Sequence, residues 1–379
     1  MKLDFSLYFI SLLFALLGLL LEEFTSAGTQ WIALLRYLPL LVLYAKYFRL
    51  DFASFLPVIF ALYLFSLSFL GGHYNMIGMV VTAMLPVTLF VYTKIVFSRK
   101  QISLIFLMVL AAYFLYVIIA FAGHIPINPN QVSFKILLFT VVLFFCIYTN
   151  SKKRIVIDTI AGRKRAIGVP GLYFLLGLSF LLILLTKGRN SLLVYLLLFA
   201  AFLVRNKVAK WDKWGFILSC LLVIYVVYPF VYCLLSSGMK GQTEMMGQDV
   251  FSGREIIWSY IFAQVTDPAS FIFGKIDTEW WNKSMHNSAL DIVVRYGVPT
   301  MVIIELIILY YFKKYCTITM NNYKPLLILI IVTMIWGVNE SGLFLGFAFF
   351  LFLPCCILHS KNRRGNVVPK TEPGLKVSE

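Results

Sequence analysis

Apolar runs long enough to cross a membrane recur along this chain, separated by short polar intervals. A spanning helix needs about 20 mostly apolar residues. Lipid offers the backbone no hydrogen-bond partners, so each run is expected to be helical. The pattern predicts helices near 5–21, 30–46, 52–70, 76–94, 102–122, 132–149, 169–186, 191–204, 215–235, 289–312, 325–338 and 341–359. The expected fold class is therefore all-α, a polytopic integral membrane protein with about 12 transmembrane helices. One long polar interval, residues 236–288, interrupts the pattern and is expected to form one large loop outside the bilayer. Residues 1–359 read as a single membrane domain with no internal repeat. The polar tail 360–379 is expected to be disordered.

Composition agrees: 61% of residues are hydrophobic and 13% charged, against about a quarter charged in a soluble domain. The first run follows Lys2 and reads as an uncleaved helix. The competing reading is a signal peptide cut near Thr25-Ser26-Ala27. The formal charge of +16 does not point to nucleic acid. The basic residues lie in short loops, and no aromatic–basic binding module is visible.

That placement sets an orientation. With the N-terminus inside, 24 of the 33 lysines and arginines fall in inside segments, so both termini are expected to be cytoplasmic and the 236–288 loop outside. The inner loop 150–168 is strongly basic and suits anionic headgroups of membrane lipids. The six cysteines include no CxxC pair or Cys/His metal spacing, and read as helix-packing residues.

Nine basic residues run against the bias: Arg36, Lys135, Lys187, Arg189, Lys240, Arg254, Lys275, Lys283 and Arg295. Arg189 stands in TKGRNSLLVY, between the seventh and eighth predicted helices, with Lys187 beside it. It reads either as an interfacial anchor or as an anion site, for which the planar guanidinium is suited. Arg254, Trp258 and Ile261 share helical spacing in GREIIWSYIFAQV, closed by Pro268. This predicts a short helix lying on the outer membrane surface. His286 precedes the tenth predicted helix and has the side chain best suited to move a proton near neutral pH. The bland alternative is a capping segment, with Asn287 or Ser288 as the cap. Asp291 and Arg295 are four apart and can pair. Glu305, deeper in the same helix, must face protein or water. Asp277 and Glu279 are a weak oxygen-ligand pair for a divalent cation, and no metal site or nucleotide loop is expected.

The order of these features resembles the O-antigen polymerase and O-antigen ligase superfamily of bacterial membrane glycosyltransferases. The likeness rests on the TKGRNSLLVY turn, the outer loop opening GREIIW, the Gly274 turn, HNSALDIVVRYGVP, and Gly337-Val338-Asn339-Glu340 before the last helix. It covers roughly residues 170–355. The resemblance implies a GT-C-like, metal-independent glycosyltransferase with no cofactor, in the inner membrane of a bacterium. It would move a glycan from undecaprenyl diphosphate to an acceptor on the periplasmic face. Arg189, Arg254 and His286 would be catalytic, the arginines stabilising the leaving diphosphate and His286 assisting the acceptor hydroxyl. Lys187, Trp258, Asn287, Arg295 and Glu340 would bind substrate. A chain-length regulator and a flippase are the partner proteins it implies. A polymerase, with a lipid-linked acceptor repeat, is favoured. A ligase to lipid A–core is the alternative, and a twelve-helix flippase or transporter is the reading from another class.

Overall fold

A computed structural model describes residues 2–21, 34–71, 76–122, 129–150, 155–158, 164–167, 169–203, 227–235, 244–245, 248–249, 254–276, 287–319, 337 and 348–365. Its helices are α1 (Lys2–Leu21), α2 (Tyr37–Tyr47), α3 (Phe52–Gly71), α4 (Met76–Lys94), α5 (Arg99–Ala122) and α6 (Pro129–Asn150). They continue with α7 (Val169–Leu185), α8 (Arg189–Leu203), α9 (Arg254–Val265), α10 (Pro268–Phe273), α11 (Ser288–Thr319) and α12 (Ala348–Gly365). Residues 227–235 are also helical.

Among the described residues six helices are long and apolar enough to cross a membrane: Leu3–Leu21, Phe52–Gly71, Ile77–Lys94, Arg99–Ala122, Asn130–Thr149 and Ser288–Lys314. Gly171–Leu185 and Arg189–Ala200 are apolar but shorter. This is the helix pattern of a membrane-embedded protein. The span expected at 325–338 lies outside the described residues, apart from Gly337, and so does most of 215–235. The helix expected at 30–46 is interrupted by a turn at Arg36 and restarts at Tyr37. Pro39, which has no N–H to donate to residue 35, accounts for the restart. The last helix runs to Gly365, beyond its expected end at 359.

The chain is not helical throughout. Ile155–Asp158 (β1) pairs antiparallel with Lys164–Ile167 (β2), in the basic loop, with Ile155 opposite Ile167. Glu244–Met245 (β3) pairs with Gln248–Asp249 (β4) in the long polar interval. The β-branched run Ile155-Val156-Ile157 favours extended backbone.

Long-range contacts sort the helix ends into two sets. The Asp4 carboxylate takes Lys46 and the Tyr47 hydroxyl, joining the start of α1 to the end of α2. Phe5 meets Phe97 edge-on at 6.0 Å, bringing in the end of α4. Tyr311 donates to the Ala53 carbonyl at 2.8 Å, placing the later part of α11 beside the start of α3. The Phe97 N–H donates to Ser360 Oγ at 2.7 Å, which adds α12. This end carries Lys46, Arg49, Lys94, Arg99, Lys100, Lys313 and Lys314 and is called the basic end below.

Asp51 shapes the same end. Its carboxylate accepts the Ser54 N–H at 2.7 Å and caps α3. The hydrogen bond from Ser54, with the charges of Lys314 and Lys94 nearby, holds its pKa below the usual value against the opposing effect of burial. A depressed carboxylate stabilises the fold above its unfolded pKa of about 3.9, and that stabilisation is lost as pH falls through the lower folded value. The expected result is a stability gap between wild type and Asp51→Asn that closes only in this acid window. Melting curves in detergent at pH 7 and pH 3 check it, and an unchanged gap at the lower pH would contradict the assignment.

The core is centred on α6. In its spanning window 94% of residues are buried, because α5, α7, α8 and α12 all pack on it. Its polar side chains therefore need partners inside the bundle. Thr140 Oγ1 donates to Ser179 Oγ at 2.8 Å, which lies 2.9 Å from the Tyr113 hydroxyl, so α5, α6 and α7 share one chain of hydroxyls. The buried Lys135 amine reaches the Leu19 carbonyl at 3.4 Å, near the end of α1, and lies over the Tyr116 ring. A cation at a helix C-terminus offsets the carbonyl end of the dipole, which accounts for Lys135.

Candidate functional site

Two groups of elements position the arginines singled out by sequence. The first is the turn between α7 and α8. Its backbone closes through Lys187 N–H to Leu184 O at 3.0 Å and Arg189 N–H to Lys187 O at 2.9 Å. Lys187 is exposed, with φ 56°. Gly188 is buried against α6, and a Cβ there would lie 2.1 Å from Ser133 Oγ. Ser133 Oγ sits between the Asn130 carbonyl at 2.9 Å and Ser191 Oγ at 3.0 Å. The absence of a side chain at 188 thus lets the turn press onto the start of α6. Arg189, half-buried, is the first residue of α8. The first turn of a helix exposes unpaired N–H groups and carries partial positive charge. A cation there adds to that charge, so Lys187, Arg189 and the α8 N-terminus make one electropositive edge. The turn belongs to the α6 N-terminal end, near which Lys135 meets the end of α1, and so lies opposite the basic end.

The second group is α9, α10 and the first half of α11. Arg254 opens α9, with Glu255 in the same turn. The helix runs from Arg254 to Val265 and stops before Pro268, as the sequence predicts. Trp258 is placed inside rather than on a surface: it is fully buried, 4.9 Å from the Tyr232 ring and 6.1 Å from the Tyr228 ring. With Ile261, Ile276, Leu290 and Val294 it forms a small core separate from the main one. What the ring contributes here is packing that holds α9 against 227–235 and α11. Asn287 is also fully buried, and its Oδ1 accepts the N–H groups of Ala289 and Leu290 at 2.8 and 2.9 Å. Of the two capping candidates, Asn287 is the N-cap of α11. Arg295 pairs with Asp291 at 3.4 Å, the i, i+4 contact expected from spacing. Glu305 is buried as expected, and its Oε1 has no hydrogen-bond partner among the described residues.

Sequence reasoning missed the break in α11. Gly297 has φ 81° and ψ 169°, so the 32-residue helix is two helices joined at this residue. Pro299 removes the N–H that would have reached the Arg295 carbonyl. Into the break goes the end of α10. A Cβ on Gly297 would lie 2.2 Å from the Ile272 carbonyl oxygen, and one on Gly274 would lie 2.7 Å from the Arg295 carbonyl carbon. The Ile276 N–H reaches the Val294 carbonyl at 3.4 Å. Asp267 caps α10 through the Ser270 N–H at 2.9 Å, with Pro268 behind it. The signal was present in the order Gly297-Val298-Pro299, inside a run otherwise read as continuous.

The structure joins Trp258, Asn287 and Arg295 through the small core and α11, with Arg254 one turn before Trp258. Arg189 and Lys187 are held separately, by α6 and α7. His286 and Glu340 lie outside the described residues, as do Asp277 and Glu279. Among the described residues no group of three or more His, Cys, Asp or Glu side chains is placed to hold a metal ion. Comparison of the chain with protein-family models, with curated proteins and with solved structures finds no match.

Proposed function

We propose that this protein is a polysaccharide polymerase of the bacterial inner membrane, GT-C-like with about twelve spans, its termini cytoplasmic and its long loop periplasmic. It transfers a glycan from undecaprenyl diphosphate to a lipid-linked acceptor repeat. The observation that carries the reading is the electropositive edge of Lys187, Arg189 and the α8 N-terminus, set at the end of the bundle away from the basic end. The step breaks the bond between the anomeric carbon and the diphosphate and forms one to an acceptor hydroxyl. The departing diphosphate gains negative charge, so fixed cations lower the barrier. The acceptor proton passes to a base, the role this reading gives His286. No nucleotide is required, because the donor already carries an activated sugar.

The test is a gel of surface glycolipid. Deletion is expected to leave core with a single repeat. Bare core with long polymer still on undecaprenyl diphosphate would make the protein a ligase, and single repeats trapped on the inner leaflet would make it a flippase. Arg189→Ala at matched membrane abundance is expected to lower polymer by about 100-fold or more, the loss typical of removing one charge-stabilising donor. Normal polymer from that variant would overturn the site.

A further inference from the structure

Two residues other than glycine have left-handed backbone among the described residues, Lys187 at φ 56° and Lys275 at φ 57°. Side chains other than Gly, Asn or Asp rarely take this conformation, since Cβ crowds the following carbonyl. Both are lysines and both are exposed. Neither side chain makes an ion pair or hydrogen bond among the described residues. Lys187 belongs to the Arg189 turn. Lys275 has no role so far.

The neighbours of Lys275 fix where it stands. Gly274, on one side, rests on the peptide group that follows Arg295. Ile276, on the other, donates to the carbonyl that precedes Arg295. The segment 274–276 therefore packs on the α11 backbone around Arg295, with Lys275 between the two contacting residues. Arg295 is partly exposed, its Nη2 is 3.4 Å from Asp291, and its Nε is buried with no hydrogen-bond partner among the described residues. A single carboxylate meets a guanidinium with five donors, which leaves donors over. Beside Lys275, Phe271 and Ile272 are exposed at 42% and 43%. Apolar side chains exposed next to a lysine suit a membrane interface, where the amine reaches the headgroup level.

We propose that Lys275 and Arg295 form a second anion-binding edge, which takes a phosphate ester carried on a lipid chain. The amine supplies the uncompensated charge, the guanidinium supplies directed donors, and Phe271 and Ile272 meet the first part of the apolar chain. The inference rests on the proposed function only for the class of anion.

Binding to the purified full-length protein in detergent tests it, with farnesyl diphosphate, farnesol and inorganic pyrophosphate as probes. All chains carry Lys187→Gly and Arg189→Ala, so that neither side chain of the first edge supplies the signal. Lys275→Gly is the informative variant, because glycine accepts the left-handed backbone without strain and removes only the side chain. Farnesyl diphosphate is expected to bind more tightly than either farnesol or pyrophosphate. Lys275→Gly is expected to weaken it about tenfold with no fall in melting temperature, and Lys275→Arg to restore it. Unchanged affinity in Lys275→Gly overturns the site. Pyrophosphate binding as tightly as farnesyl diphosphate overturns the lipid assignment. Because binding and glycolipid are measured separately, a normal gel from the deletion strain removes the polymerase reading and leaves this site standing, while unaltered binding does the reverse.

Discussion

Gly297→Ala is expected to lower the stability of the protein by about 3 kcal/mol or more. The backbone at φ 81° and ψ 169° lies in a region only glycine occupies comfortably, and a side chain there costs roughly 1–3 kcal/mol. Overpacking adds a similar amount, because the new Cβ would lie 2.2 Å from the Ile272 carbonyl oxygen and 2.7 Å from that of Phe271. These are backbone atoms at the end of α10 and cannot rotate aside. Relief comes only if α10 retreats from α11, which breaks the contact from the Ile276 N–H to the Val294 carbonyl. Gly177→Ala is the matched control. It lies inside α7 with nothing within 4 Å of the new carbon, so alanine should be neutral or stabilising by about 0.5–1 kcal/mol. Apparent melting temperatures in one detergent at one scan rate compare the two, since membrane proteins often unfold irreversibly. Equal melting of Gly297→Ala and wild type would mean that α10 is not seated in the break.

The same break separates what was legible in the sequence from what was not. Helices such as α3 and α4 were legible because a continuous apolar run bounded by charge has one solution in lipid. The Asp291–Arg295 pair was legible because helical spacing alone brings the two together. The break was not, because glycine and proline are tolerated inside membrane helices, and only the arrival of α10 turns Gly297 into a junction. Trp258 failed for a related reason. An Arg and a Trp on one short helix suit a membrane interface, but the rings that cover Trp258 come from Tyr228 and Tyr232, 30 and 26 residues earlier in the chain. Lys135 runs against the charge bias because its partner, the Leu19 carbonyl, lies 116 residues away in the chain. Each miss is a contact between distant segments, whereas each success needed only local pattern.

Trp258→Ala should therefore act locally. Truncating a fully buried tryptophan costs about 3–5 kcal/mol, through lost burial and the cavity left behind. Among the described residues the small core around it has Tyr232, Ile261, Ile276, Leu290 and Val294 as its other buried members, apart from the main core around α6. A loss of that size exceeds what so few contacts can absorb, so α9 should detach while the main bundle persists. At 3 kcal/mol the open population rises roughly 100-fold. Limited proteolysis reads this directly, as faster cleavage within 254–265 at unchanged bundle melting. Trp258→Phe, which keeps a ring against Tyr232, should be cut at an intermediate rate. If α9 in Trp258→Ala is cut no faster than in wild type, the small core is not what holds it. If the whole bundle melts with it, the two cores form one cooperative unit. Detachment would also displace Arg254, which opens α9 and which the resemblance to the polymerase and ligase superfamily sets against the leaving diphosphate. Polymer should then fall in step with cleavage across the three chains, even though Trp258 has no exposed face with which to touch a substrate.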